Sequence, residues 1–288
     1  MSHDLKIAVN ASTQVYGIFG YPVGHSLSPA LHNAAFAHFK INAVYLAFPI
    51  EPAFLGIAFE GLRALGFGGV NVTIPYKEEA LGYVDEIPED IDRCTGAINT
   101  IHHSEGRLVG YNTDGPGFLK ALHSELSFNP EGRSVLVLGA GGAARGVVFS
   151  LARAHAEKIW MLNRSLDRAQ GLAEHAAGFF PETEFEAVKH LYEVQGEKID
   201  LVVNATSCGM DNQEVPLDLR VLERKTSVYD LVYKNGETPF LKSARDLGFP
   251  CADGLGMLVN QAALAFEIWT GHGGAEDVMR AALKGGKI

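Results

Sequence analysis

Residues Gly139-Ala140-Gly141-Gly142-Ala143-Ala144 follow the apolar run Ser134–Leu138 and open a stretch with apolar residues at Val147, Val148, Leu151 and Ala154. A strand, a glycine turn and a helix in that order commit the chain to α/β architecture. The G-x-G-x-x-A spacing is the one that cradles a dinucleotide pyrophosphate. Gly139 permits the tight turn, Gly141 lets backbone N–H groups approach the phosphates, and Ala144 lets the helix pack on the strand. The helix N-terminus adds unpaired donors and the positive end of its dipole. The motif begins nearly halfway along 288 residues, so another folded unit precedes it and is expected to hold the substrate.

Strand-like and helix-like stretches alternate through both halves. In the first, strands are expected at 14–19, 43–49 and 69–74, helices at 29–40 and 52–65, and a hairpin of 97–103 and 107–112 around Glu105-Gly106. In the second, strands are expected at 135–138, 158–162, 184–187, 200–204 and 227–231, with helices at 142–154, 166–177 and 238–247. This is a doubly wound, mainly parallel pattern. From Gly254 the chain reads as helical (258–270, 275–283), with no strand to join the nucleotide sheet. These helices are expected to return to the first domain. The expected division is 1–114 for the substrate domain, 115–253 for the nucleotide domain and 254–288 for the returning helices, with a ligand cleft between the lobes.

The formal net charge is −10, from 24 Lys plus Arg against 34 Asp plus Glu. That acidity argues against nucleic acid and against a basic membrane-binding tail. The start lacks an apolar signal segment, and no run of about 18 apolar residues exists. Cys94, Cys208 and Cys251 are scattered, which suits reduced thiols in a cytoplasmic protein. The eleven histidines contain no H-E-x-x-H pair, so no metal is expected.

Past the glycine turn, an NAD site places Asp or Glu at the end of the second strand. Here that segment reads Leu162-Asn163-Arg164-Ser165, with Arg168 one helical turn on. A guanidinium binds a 2′-phosphate that a carboxylate would repel, so NADP is the expected cofactor. The competing reading makes both arginines solvated helix-start residues, with Asn163 or Ser165 as a cap.

Four segments of the first half carry polar groups where an α/β sheet binds ligands. In Gly24-His25-Ser26-Leu27-Ser28-Pro29, Ser28 is expected to cap a helix; in extended chain Ser26 and Ser28 point the same way, a pair suited to a carboxylate. In Val70–Lys77, alternation sets Asn71 and Thr73 on one face and Val70, Val72 and Ile74 on the other, with Lys77 past Pro75. In Thr95–Thr100, Asn99 is expected to open a strand, and in Gly110–Gly115, Asp114 to begin a helix.

These segments, 20–29, 71–77, 96–100 and 112–115, together with 139–145, 163–165, 204–210 and 256–262, resemble the shikimate dehydrogenase family in the family's order over nearly the whole chain. The resemblance implies NADPH-dependent reduction of 3-dehydroshikimate to shikimate in aromatic amino acid biosynthesis. It implies that Ser26 and Ser28 hold the substrate carboxylate and that Asn71, Thr73, Asn99, Asp114 and Gln261 bind the ring hydroxyls. Lys77 and Asp114 would be the catalytic pair, and Tyr233 would lie near the substrate. Gly139, Gly141, Gly142 and Ala143 would line the pyrophosphate, and Asn163, Arg164, Ser165 and Arg168 the adenosine phosphate end. Asn204, Thr206, Met210, Leu231 and Gly254 would lie along the cofactor. Two departures stand out: Lys234-Asn235-Gly236 follows Tyr233 where the family often has proline, and Ser165 replaces a common threonine. A homodimer is one expected assembly. The rival readings are a quinate/shikimate dehydrogenase using NAD and a nonenzymatic NADP-binding regulator; the latter has no need of Lys77 and Asp114.

Overall fold

The structure, a computed structural model, describes residues 9–88, 94–210, 214–223, 225–233 and 236–285. The chain divides into two compact units: residues up to Thr113 together with those from Val259 onward, and Asp114–Leu258.

The first unit is built on a five-stranded sheet. β1 (Gln14–Gly20), β2 (Ala43–Pro49) and β3 (Gly69–Val72) are joined by α1 (Ser28–His38) and α2 (Leu55–Ala64), and β4 (Thr100–Ser104) and β5 (Arg107–Tyr111) complete it. The order is β2-β1-β3-β4-β5, parallel from β2 to β3 and antiparallel beyond. The sheet is therefore mixed: β4 runs antiparallel to β3, and the tight turn at Glu105-Gly106 returns β5 antiparallel beside β4. β3 is shorter than expected. Beyond Val72 the Thr73 N–H still donates to the Phe19 carbonyl, but Tyr76 N–H turns back to the Thr73 carbonyl. Ile74 is consequently exposed rather than on the apolar face. Asn99 precedes β4 instead of opening it. Phe19, Leu55, Phe59, Leu62, Val70, Val72, Ile98 and Ile101 form the core on the α2 side.

The second unit contains α3 (Asp114–Leu126), β6 (Ser134–Leu138), α4 (Gly142–Arg153), β7 (Lys158–Leu162), α5 (Leu166–Ala177), β8 (Glu184–Val188), β9 (Leu201–Asn204), β10 (Ser227–Asp230), α6 (Pro239–Asp246) and β11 (Cys251–Asp253). Its sheet runs β8-β7-β6-β9-β10-β11, all parallel. Counted within the unit this is 3-2-1-4-5-6, the dinucleotide-binding order, whose switch point lies between its first and fourth strands. β6, β9 and β10 are buried along their full length apart from partly covered Ser134, as expected for strands covered on both faces. β11 was not foreseen: three residues, Cys-Ala-Asp, carry no periodic signal. α7 (Leu255–Thr270) leaves the second unit after Leu258, and its remainder and α8 (Glu276–Gly285) belong to the first. There Trp269 packs on Tyr16 and His32 and donates its indole N–H to the Ile101 carbonyl at 3.0 Å. Among the described residues no helix is long and apolar enough to cross a membrane.

Candidate active site

In the second unit the turn after β6 has the backbone its residues require. Gly139 sits at φ 108°, a conformation L side chains rarely adopt, and a Cβ there would press within 3.1 Å of both the Ala205 carbonyl oxygen and Thr206 Cγ2. Two loops at the switch point thus abut. Gly141 is the N-cap of α4 with no side-chain cap, and open space faces its Cα. Gly142 and Ala143 are half-buried in the first turn, while Ala144 is fully buried against the sheet. The first N–H groups of α4 accordingly lack a side-chain partner, which is what an anion at this position needs.

At the end of β7, Asn163 Nδ2 donates to the Ser165 carbonyl at 2.8 Å. Ser165 occupies the N-cap of α5 but makes no side-chain cap hydrogen bond. Arg164 and Arg168 are exposed, and neither guanidinium forms an ion pair with a carboxylate among the described residues. The Arg164 charge reaches the β9 loop: burial, Glu214 and Asp230 raise the Cys208 thiol pKa, and Arg164 opposes them.

That loop is held by Asn204, which is fully buried. Asn204 Oδ1 accepts from Thr206 N and Oγ1, and Nδ2 donates to Asp230 Oδ1 at 2.8 Å. Asp230 also accepts from Val232 N–H and from Thr238 Oγ1. Burial raises its pKa, and these hydrogen bonds partly offset that. Met210 is partly exposed at the loop's end. Gly254 lies against Leu231: a Cβ there would collide with the Leu231 carbonyl. Two residues after Leu231, burial raises the Tyr233 phenol pKa, with the Asp114 charge adding to it; the pair is thus close enough to interact. Lys234 and Asn235 lie outside the described residues. Asp230 and Thr238 went unnoticed in the sequence, because a lone acid after a buried strand has no motif.

In the first unit Asn71, Asn99 and Gln261, three of the five residues expected to bind the ring hydroxyls, share one buried cluster. Tyr45 Oη donates to Asn71 Oδ1 at 2.7 Å, and Asn71 Nδ2 donates to the Asn99 carbonyl and to Thr100 Oγ1. Asn99 Oδ1 accepts from Thr113 N–H at 2.7 Å, and Asn99 Nδ2 donates to Thr113 Oγ1 and to Gln261 Oε1. Asn71, Asn99 and Gln261 are buried, at 4, 3 and 8% exposure. Each amide is therefore oriented by its partners, as buried polar groups require. Asp114 follows Thr113 directly in the chain and is also buried, in the first turn of α3. Tyr45, Thr100 and Thr113 were missed by sequence reasoning.

Thr73 and Lys77 are half-buried in the segment after β3. The Lys77 carbonyl accepts from Ile98 N–H at 2.9 Å. The expectation for Ser28 is corrected: α1 begins at Ser28, its N-cap is Leu27, and no side chain caps it. Leu27 has φ −84° and ψ −9°, so Ser26 and Ser28 are not in extended chain. Instead the half-buried Ser26 accepts the Ser28 N–H at 3.3 Å. Ser28 is buried, and it opposes the rise that burial gives the pKa of the Tyr45 phenol. Among the described residues no group of three or more His, Cys, Asp or Glu could hold a metal.

Similarity to known proteins spans most of the chain. Residues 18–101 match the shikimate dehydrogenase substrate binding domain, 122–211 match shikimate/quinate 5-dehydrogenase, and 254–284 match the shikimate 5′-dehydrogenase C-terminal domain. A shikimate dehydrogenase (NADP(+)) from Geobacter sp. (strain M21) is 48% identical over 282 residues, covering 96% of this chain and 97% of its own. Among solved structures, shikimate dehydrogenase from Aquifex aeolicus matches with a TM-score of 0.88 at 40% identity, over 96% of this chain and 99% of that one. The Thermus thermophilus enzyme, solved in complex with NADP(H) and shikimate, matches with a TM-score of 0.84 at 37% identity, over 95% and 100%. With both units matched and nearly half of all positions identical to a curated relative, the chain belongs to the shikimate dehydrogenase family.

Proposed function

We propose that this chain catalyses the reversible, NADP-dependent interconversion of 3-dehydroshikimate and shikimate, a cytoplasmic step toward the aromatic amino acids. The observation that carries the reading is the buried amide cluster of Asn71, Asn99 and Gln261, lying in the unit whose sequence matches the substrate binding domain. A polyhydroxylated ring needs several oriented donors and acceptors, and buried amides reject analogues that leave them unpaired. Ser26 and Ser28, at the start of α1, take the carboxylate; Asn71, Thr73, Asn99, Asp114 and Gln261 take the hydroxyls.

The second unit fits the cofactor. Its glycine turn leaves helix N–H groups open to the pyrophosphate, and the end of β7, Asn163-Arg164-Ser165, carries the exposed Arg164 and no acid, with the exposed Arg168 one turn on. When bound, NADPH supplies the hydride to the substrate carbonyl carbon. The Lys77 ammonium stabilises the negative charge building on the carbonyl oxygen and protonates it; in the reverse direction the neutral amine accepts the hydroxyl proton. Asp114 orients the ammonium and binds a neighbouring hydroxyl. Tyr233, kept as a neutral phenol by burial and by the Asp114 charge, has a hydroxyl for the substrate. Shikimate oxidation with NADP⁺, read as the appearance of NADPH absorbance, tests the reading; no turnover would overturn it.

Arg164→Asp is expected to lower kcat/KM with NADPH by about 10–100-fold, the worth of one hydrogen bond to a charged group, and to leave the NADH value nearly unchanged. Parent enzyme that used NADPH and NADH equally well would remove Arg164 from the phosphate site.

A further inference from the structure

The cluster continues behind the proposed substrate-contacting residues. Tyr45 lies on β2, fully buried, so no ligand can touch it. Yet its phenol donates to Asn71 Oδ1 at 2.7 Å, and Ser28 is near enough to the same phenol to oppose the rise in pKa that burial gives it. One hydroxyl thus stands between the start of α1, assigned to the carboxylate, and β3, assigned to a ring hydroxyl. Contacts from α1 hold Tyr45 in that place. Asn33 clamps its backbone from α1, accepting the Tyr45 N–H at 2.8 Å and donating to the Tyr45 carbonyl at 2.9 Å. His32 stacks on its ring at 4.3 Å with planes 9° apart. Ser28 and His32 stand four residues apart, on one face of α1, so the helix presents hydroxyl and ring to the same phenol.

We propose that Tyr45 is a positioning residue for shikimate, setting the spacing between Ser28 and Asn71 so that carboxylate and hydroxyl are met together. The inference rests on the substrate reading above. It has a specificity consequence: both Asn71 Nδ2 hydrogens are spent on Asn99 and Thr100, so Asn71 offers a ligand only an Oδ1 lone pair, and it accepts from a substrate hydroxyl.

The test is steady-state kinetics of Tyr45→Phe, which keeps the ring and removes the hydroxyl that holds Asn71. The shikimate KM should rise about 10-fold, the worth of one net hydrogen bond, while kcat and the NADP⁺ KM stay within about twofold. In a Ser28→Ala background the same change should add less than threefold, because the two act as one unit. His32→Leu, which removes the stacked ring and leaves the Tyr45 hydroxyl on Asn71, should raise the shikimate KM in the same direction. His32→Phe should retain the parental value. This second pair decides the matter even where Tyr45→Phe does not fold. An active parent with unchanged shikimate KM in Tyr45→Phe, or in His32→Leu where that is the variant measured, would overturn the positioning role alone. A parent that does not turn shikimate over would overturn the substrate reading with it.

Discussion

Replacing Lys77 by alanine is expected to lower kcat by about 10²–10⁴-fold, the usual worth of a positioned general acid–base group, while the KM for shikimate changes much less. The expectation follows from where charge appears. Hydride arrival at a ketone carbon leaves negative charge on oxygen, and an ammonium there is bound more strongly in the transition state than in the ground state. The backbone around Lys77 is built to hold it in one place. Its carbonyl accepts the Ile98 N–H, and the preceding Tyr76 is fully buried with its hydroxyl on the Ile50 carbonyl. The side chain is therefore the only part lost in the variant, and the fold should survive. Parallel loss in kcat and kcat/KM would mark an interaction made only in the transition state. A large rise in KM with unchanged kcat would make Lys77 a binding residue and return the proton-transfer role to Asp114 or Tyr233.

The second large effect is on stability, and its source is His32. The ring is wholly buried between Tyr45 and Trp269, and neither ring nitrogen meets a partner in hydrogen-bond geometry among the described residues. Burial drives its pKa from 6.5 down to about 3, only partly opposed by the Asn71 amide. The native imidazole is thus neutral at any ordinary pH, whereas the unfolded chain binds a proton below about pH 6.5. The unfolded state holds more protons between those values, so stability rises with pH across the window. The contribution is complete above pH 6.5 and is lost progressively as pH falls toward 3. Between pH 7 and pH 5 the loss from this one group is about 2 kcal/mol.

His32→Phe keeps a stacked ring and removes the titration. The parent should lose about 2 kcal/mol more than this variant over the interval, read from urea unfolding of the first unit at both pH values. Phenylalanine also removes two orphaned polar atoms, so the variant should match or exceed parent stability at pH 7. Identical pH profiles for parent and variant would show that His32 does not titrate differently on folding.

The nucleotide unit was the more legible half of the sequence. Its demand on Gly139 is local: a positive φ between a buried strand and a helix start leaves a mark in adjacent letters. The parallel order of its sheet followed from strand–helix alternation. β11 escaped because three residues pairing with β10 on a sheet edge show no alternation to count. In the first part of the chain Asn71, Asn99 and Asp114 stood out because polar residues interrupt apolar runs near strand and helix ends. Ser28 was misassigned as a cap because Ser-Pro is the common letter pattern for one; the helical dihedrals at Leu27 move the helix start forward by one residue and turn the hydroxyl inward to Tyr45. Tyr45 itself was invisible, since an aromatic residue in a strand reads as core, and only the fold places its hydroxyl between Ser28 and Asn71.

Joint preference for substrate and cofactor separates an NADP-dependent shikimate dehydrogenase from a quinate-oxidising, NAD-dependent enzyme. Measure kcat/KM for the four pairs of shikimate or quinate with NADP⁺ or NAD⁺, followed by absorbance of the reduced nicotinamide. Shikimate with NADP⁺ is expected to exceed each of the other three by at least about 10-fold, since a misplaced hydroxyl or a missing 2′-phosphate forfeits one or more oriented hydrogen bonds. Preference for quinate with NAD⁺, or no turnover of any pair, would contradict it.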